Sequence, residues 1–416
     1  MQHDKRVTML ASSLNKTASG GNAEHTVTPV IDGVTAQHIY RPSTVKMVSD
    51  ALAESTDSSY TIVPVGGLNH LETGNRLISQ RWAALSTSQL NRVVEYSPED
   101  MVVTVQAGVT LAQLQAELAK NNQMLPIDSP NPYTTTIGGI VATNAQGLWQ
   151  HAYRLPRDLV LGLSIITANG EQIKAGGKVV KNVAGYDLCK LFCGSWGSLG
   201  FIAEATFKVR PLPECRAHIA FSAPSVSAAI QAGLDVHGKL LEPVYLVTAS
   251  DPEPALYVGL HGHEKTVAWQ IDEISRIVES LGLSPTDTAL SEDGLRHAIV
   301  ATSSKVVVRI SAKPTDLPRC AESVSELGGQ AVYNVQTGIV EAAFDGVAEK
   351  MPQFTALLKD ILPSNARIFW KRVPPSWKAT MDIWAPRPGN AELMRSIKSA
   401  IDPRGLFSAG RFAGRI

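Results

Sequence analysis

The stretch Gly176–Pro213, GGKVVKNVAGYDLCKLFCGSWGSLGFIAEATFKVRPLP, constrains this chain more than any other. Glycines stand at 176, 177, 185, 194, 197 and 200, and the run then turns strand-like over Phe201–Val209. Glycine is placed where backbone turns with positive φ or comes close to something large. Gly194, Gly197 and Gly200 recur at a spacing of three with no GxGxxG, so the dinucleotide-helix fingerprint is absent. A nucleotide would need another kind of cradle here.

Two upstream segments fit such a cradle. A diphosphate needs several donors aimed at one point with no side chains in the way, and consecutive amides of a glycine-rich turn supply them. Val65–Asn75 (VGGLNHLETGN) follows an apolar strand, and Thr134–Gly147 (TTTIGGIVATNAQG) adds Thr and Asn donors. Other motifs fail. Gly176-Gly177-Lys178 is followed by Val179, where a phosphate loop needs Ser or Thr. Ser195 lies in GSWG, not in the GxSxG of a nucleophile elbow. His261-Gly262-His263 lacks a third ligand and reads as a turn with exposed imidazoles, so no metal site is expected. Trp370, Trp377 and Trp384 recur every seven residues and read as core or seam.

The length of 416 residues suits two or three domains, and 44% hydrophobic with 18% charged residues can bury a sizeable core. Basic and acidic residues balance at 38 each, which argues against a nucleic-acid partner. No apolar run reaches the ~18 residues of a membrane-spanning helix. Residues 1–26 are polar and read as a disordered tail. Cys189, Cys193, Cys215 and Cys320 read as reduced thiols of a cytoplasmic protein.

Hydrophobic periodicity predicts helices over Ser43–Ser55 and Leu111–Asn121, the latter capped by Thr110. It predicts strands at Tyr60–Val65, Val102–Val105 and Leu159–Thr167, the last leading into a turn at Asn169-Gly170. Beyond Pro213 strands and helices alternate as in an α+β unit with an antiparallel sheet, and a helix is expected at Ala391–Ile401.

Several runs resemble the FAD-binding E-type subunits of bacterial glycolate oxidase (glycolate dehydrogenase), within the flavoproteins of the vanillyl-alcohol-oxidase, PCMH-type FAD-binding family. They are Arg157–Gly162 onward to Pro213, above all Val179–Leu188, together with Tyr96–Leu114, Gly138–Gly147 and Met381–Ile416. The resemblance implies an α+β fold: a PCMH-type FAD-binding domain of two α+β subdomains over 27–213, an α+β cap domain with an antiparallel sheet over 214–378, and a segment 379–416 returning to the flavin domain. It implies that Gly66, Gly67, Leu68, Asn69 and His70 hold the pyrophosphate with Thr136, Ile137, Gly138, Gly139, Ala142, Thr143 and Asn144. Tyr153, Gly185, Asp187, Gly194, Ser195, Gly197, Gly200 and Ile202 would complete the FAD site. Gly138→Asp would then set a carboxylate against the pyrophosphate. His70 stands three residues beyond Gly67, so the FAD is expected to be noncovalent.

Three departures accompany the resemblance. Leu68 stands where glycine is usual, so the first loop is expected to be reshaped and FAD affinity lowered. Ala152-Tyr153-Arg154 replaces Arg-Tyr-Gly, and Ser408-Ala409-Gly410-Arg411 replaces Asn-Pro-Gly-Arg. The implied activity is oxidation of glycolate, a small-molecule 2-hydroxy acid. The implied partners are a sister flavin subunit and an iron–sulfur subunit, which could hold the chain at the periphery of the inner membrane. No catalytic base is evident; Lys371, Arg372 and Arg411 could clamp a carboxylate or phosphate, but solvated surface cations are the favoured reading. Two alternatives stay open: a self-sufficient FAD-dependent D-2-hydroxy-acid dehydrogenase with Tyr153 or a cap histidine as base, and a non-catalytic subunit that has lost FAD.

Overall fold

The computed structural model describes residues 27–57, 60–145, 147–177, 186–287, 290–298, 304–347, 351–384 and 389–416. The readings for the first 26 residues, for Gly185 and for most of Val179–Leu188 lie outside them.

The fold is α+β and its strands fall mainly into three sheets. Thr61–Val65, Trp82–Ser86 and His38–Tyr40 pair in parallel, with Trp82–Ser86 in the middle. All of Trp82–Ser86 is buried, as a central parallel strand covered on both faces must be. The helix Val45–Asp57 makes the crossover and sets Val48 and Leu52 against Ile62, Leu85 and Phe201. A five-stranded antiparallel sheet follows, ordered Gln172–Gly176, Val160–Ile166, Phe201–Lys208, Val102–Gln106, Val93–Ser97. Gly170, at φ 78°, makes the predicted hairpin turn. The helix Leu111–Ala119 starts at Thr110 in a complete capping box with Gln113, worth about 1 kcal/mol, and buries Leu111, Leu114 and Leu118.

The third sheet has eight antiparallel strands, the inner six being Cys215–Ser222, Ala255–Gly262, Tyr245–Ala249, Gln330–Asn334, Ile339–Phe344 and Val306–Ser311. Arg367–Arg372 forms one edge. Amphipathic helices such as Val226–His237, Glu264–Ser280 and Leu317–Glu326 cover its main core, which includes Trp370 and Trp377.

The C-terminus returns to the start of the chain. The helix Ala391–Ile401 rests Ile397 and Ile401 on the core of the five-stranded sheet. Phe407 bridges Ile62 in parallel, with Ile62 N–H donating to Leu406 O at 2.9 Å and Ser408 N–H to Ile62 O at 2.8 Å. Trp384 then packs between Trp196 (5.0 Å), Phe369 (4.5 Å) and Phe412 (4.9 Å), so the third tryptophan of the heptad stripe lies on a seam.

Candidate functional site

The strand Thr61–Val65 runs into the loop Gly66–Asn75, whose start crosses the segment Thr134–Thr136. The crossing is tight. A methyl added at Gly67 would overlap the backbone carbonyl of Thr134, and one at Gly66 would overlap Thr136 Oγ1. Asn69 ties the two segments together: its Nδ2 donates to Thr135 Oγ1 and its Oδ1 accepts from Thr134 Oγ1, both at 3.1 Å. Leu68 does take the left-handed conformation, at φ 62°. The loop therefore keeps its glycine-like path at a cost of about 1–2 kcal/mol. Packing of Leu68 beside Ile31, Val63 and Trp82 offsets that strain.

The second segment is not a loop. Ile137–Thr143 is a helix with Thr136 as N-cap and Asn144 as a left-handed C-cap at φ 50°. Its first amides are spent internally: Ile137 N–H on Val109 O, Gly138 N–H on Ala107 O and Gly139 N–H on Thr136 Oγ1. It lends the cleft a small-residue face instead of a donor nest. The Cβ position of Gly138 points at Ala107 Cβ, 2.8 Å away, so a side chain there would strike the core and not an anion.

Gly66–His70, Thr136, Gly138, Gly139, Ala142, Thr143, Gly197, Gly200 and Ile202 line one cleft. The other residues read from the sequence stand apart. Ile137 is fully buried, Tyr153 bonds His261, and Asp187 is the exposed cap of the helix Leu188–Phe192. Asn144 lines a neighbouring cavity instead, Gly194 sits beside Asn144, and Ser195 is buried with an unpartnered hydroxyl.

The cleft suits an anion. Among the described residues no hydrogen bond takes up the amides of Gly66–His70. Arg411, only 8% exposed, also lines it. Its Nη2 donates to Leu71 O at 2.9 Å and to Thr73 O, while Nη1 is buried without a partner. Burial, barely offset by Asp32, pushes its pKa down to about 10. Arg411 is thus no solvated cation. Left-handed backbone at Leu68, Trp196 and Ser408 gathers around the same cleft.

A cavity of about 350 Å³ adjoins it, with Asn69, His70, Ile140, Thr143 and Trp196 as shared wall. Its far side is the eight-stranded sheet. Arg309 Nε donates to Glu341 Oε1 at 2.6 Å, and Lys371 Nζ lies 3.0 Å from Glu341 Oε2. Burial pushes the Glu341 carboxyl up, but Arg309 and Lys371 outweigh it and hold it below the usual range. Lys371 is lowered by burial against the pull of Glu341. It too was misread from the sequence as a surface charge. Among the described residues no hydrogen bond engages the Nη groups of Arg309. Arg296 faces three carboxylates, Asp128, Glu292 and Asp293, and Arg372 pairs with Glu72. Arg309, Glu341, Asp128 and Arg296 are the polar residues that sequence reasoning missed.

The residues 36–176 match the family model described as an FAD binding domain. This stretch is an FAD-binding domain. FAD is the cofactor, and the unpaired amides of Gly66–His70 with the unpartnered Arg411 Nη1 fit its pyrophosphate. The chain is 24% identical to glycolate oxidase subunit GlcD of Bacillus subtilis, covering 90% of this chain and 88% of that protein. It is 25% identical to D-2-hydroxyglutarate dehydrogenase of Xanthomonas citri, covering 77% and 67%. Likeness to glycolate oxidase subunit GlcE of Escherichia coli is higher, 42%, but spans 29% of this chain and 35% of that one. The E-type resemblance therefore holds for a segment, not for the whole chain. The fold matches a solved alkyldihydroxyacetonephosphate synthase with a TM-score of 0.67 at 16% identity, covering 90% of this chain and 76% of that one. The FAD-binding fold and the 2-hydroxy-acid relatives together mark an FAD-dependent oxidoreductase of hydroxy acids.

Among the described residues no helix is long and apolar enough to cross a membrane, and no group of three or more His, Cys, Asp or Glu could hold a metal. Cys189 and Cys193 are buried and free, with pKa values pushed up by burial to about 11 and about 12.

His261 makes one testable statement. Its Nδ1 lies 2.9 Å from the Tyr153 hydroxyl, and burial with Arg216 and Arg296 lowers its pKa to about 4. The unfolded chain takes up that proton near pH 6.5, whereas the native chain refuses it until about 4. The contribution to stability is whole above pH 6.5 and is lost as pH falls toward 4. His261→Gln should flatten the acid slope of Tm. An unchanged slope between pH 7 and 4.5, measured calorimetrically, would remove this account.

Proposed function

We propose that the chain is the FAD-bearing subunit of a 2-hydroxy-acid dehydrogenase of the glycolate oxidase kind, oxidising glycolate or a close monocarboxylate to the 2-oxo acid. A sister flavin subunit and an iron–sulfur subunit would carry the electrons onward, in the cytoplasm or at the inner membrane through those partners. The relatives named as glycolate oxidase subunits support this assembly.

In this reading Gly66–His70 and Arg411 hold the pyrophosphate, and the small residues of Ile137–Thr143 let the cofactor lie close. When bound, FAD supplies the two-electron acceptor for the carbon-bound hydrogen of the substrate. The observation that carries the substrate class is the local charge at Arg309, Lys371 and Glu341 on the far wall of the adjoining cavity. Arg309 and Lys371 share one carboxylate, Glu341, which leaves a surplus of one positive charge in a confined space. One substrate carboxylate neutralises it, with the idle Nη fork of Arg309 as its natural bidentate partner. Glu341 fixes both cations.

The purified chain should be yellow and should release its chromophore on acid precipitation, as noncovalent FAD does. Glycolate or a small homologue should bleach a redox dye on this chain alone, because cofactor cleft and acid cavity are both built from its own residues. Partner subunits should then be needed only for the onward path. Arg309→Met should raise KM about 10–100-fold, the worth of one charged hydrogen-bonded contact. A protein that stays colourless after added FAD rules the reading out, and an unchanged KM in Arg309→Met rules out the carboxylate assignment.

A further inference from the structure

His70 stands where the cofactor cleft meets the acid cavity and lines both. Its side chain is exposed, with Trp196 edge-on at 5.7 Å, and it lies on the wall of both spaces. Three other histidines are occupied, His218 by the Tyr245 hydroxyl, His261 by Tyr153 and His297 by Asp293 O. Among the described residues no hydrogen bond engages either ring nitrogen of His70. An idle imidazole facing a cavity built for a 2-hydroxy acid is a group without a structural task.

We propose that His70 is the base that takes the hydroxyl proton of the substrate. This rests on the 2-hydroxy-acid reading above. The step balances as follows: the alcohol O–H breaks and its proton passes to a ring nitrogen of His70, the carbon-bound hydrogen leaves with its electron pair to the oxidised flavin, and a C=O bond remains. Tyr153, the hydroxyl considered first from the sequence, is engaged with His261 and lines neither space.

The surroundings of His70 tie its basicity to substrate. Desolvation at the cavity wall, then Lys371 and Arg309, lower its pKa, so the free imidazole is neutral and weakly basic. The other charged groups lining the two spaces are Glu341, between those two cations, Glu72 on the same loop, paired with Arg372, the Asp128–Arg296 pair, and Arg411. A carboxylate seated on Arg309 and Lys371 cancels the repulsion that disfavours His70 protonation. The base therefore strengthens when the acid to be oxidised is in place.

The test uses the FAD-loaded full chain. With ¹³C-histidine labelling, the His70 resonance, assigned by its loss in His70→Gln, should titrate upward by about one pH unit or more when oxalate occupies the cavity. Oxalate carries the carboxylate but has no hydrogen to lose, so this readout needs no turnover. His70→Gln and His70→Asn should keep the flavin spectrum and a near-normal KM while kcat drops about 10²–10⁴-fold and the acid limb of kcat/KM disappears. A His70 resonance indifferent to oxalate overturns the proposal, and so does a His70→Gln enzyme that retains wild-type kcat and its acid limb. A yellow wild type that oxidises no 2-hydroxy acid overturns the functional reading and this proposal together, whereas an active His70→Gln variant overturns this one alone.

Discussion

Gly67→Ala should yield a colourless protein. The replaced hydrogen points straight at the carbonyl of Thr134, and the added methyl would overlap that backbone oxygen. Neither backbone can turn aside locally, because Asn69 locks the loop to Thr134 and Thr135 while the Thr136 cap fixes the following helix. The loop must therefore lift, and its idle amides shift away from the cleft. Overpacking of this kind costs roughly 1–3 kcal/mol, and ~3 kcal/mol corresponds to about a 100-fold loss of FAD affinity. Titration with FAD, followed by flavin fluorescence quenching, reads the change. Stoichiometric flavin in Gly67→Ala would show that the loop does not cradle the cofactor. Leu68→Gly is the informative companion. It relieves left-handed strain but gives up packing in the small cluster around Trp82 and adds unfolded-state entropy, so it should leave FAD bound.

The loop at Gly66 was legible in the sequence because glycine after an apolar strand is a local signal. So was the helix Ala391–Ile401, whose apolar period is undisturbed. The segment at Gly138-Gly139 was read as a loop because paired glycines oppose a helix by roughly 1 kcal/mol each. The Thr136 cap and the burial of Ile137, Ile140 and Val141 override that preference. The strand Arg367–Arg372, RIFWKR, went unread because its charges obscure the alternation; Lys371 and Arg372 line the cavity, whereas Arg367 is exposed.

The acid cavity was hidden for a different reason. Arg309 and Glu341 are far apart in sequence and become cross-strand partners only through the pairing of Val306–Ser311 with Ile339–Phe344. A signal did exist. VVVRIS and IVEAAF each carry one charge, of opposite sign, in an otherwise apolar strand. A lone charge in a buried strand demands a partner, so two such strands announce an ion pair without saying where it lies.

Lys398→Met should cost about 3–5 kcal/mol and loosen the cofactor as well, because it leaves a buried charge alone. Lys398 is 8% exposed and spends its three donors on Asp402 Oδ2 and Ser198 O, both at 2.6 Å, and Phe407 O at 2.9 Å. Burial lowers its pKa against the pull of Asp402, so the ammonium is held at an expense that only full pairing offsets. Asp402, 1% exposed, also accepts the amides of Leu406 and Phe407 at 2.9 and 2.8 Å. One ammonium thus pins the Gly194–Gly200 segment, the C-terminal helix and the strand-like contact of Phe407 with Ile62. Arg411 follows directly, so a slack tail withdraws its guanidinium from the cleft. Urea unfolding should show the loss, and the Lys398→Met, Asp402→Leu double variant should recover part of it by removing the stranded carboxylate. A single variant within about 1 kcal/mol of wild type would mean that water reaches the pair. In that event the tail is merely draped on the flavin domain, and Arg411 would have to be positioned by Leu71 and Thr73 alone.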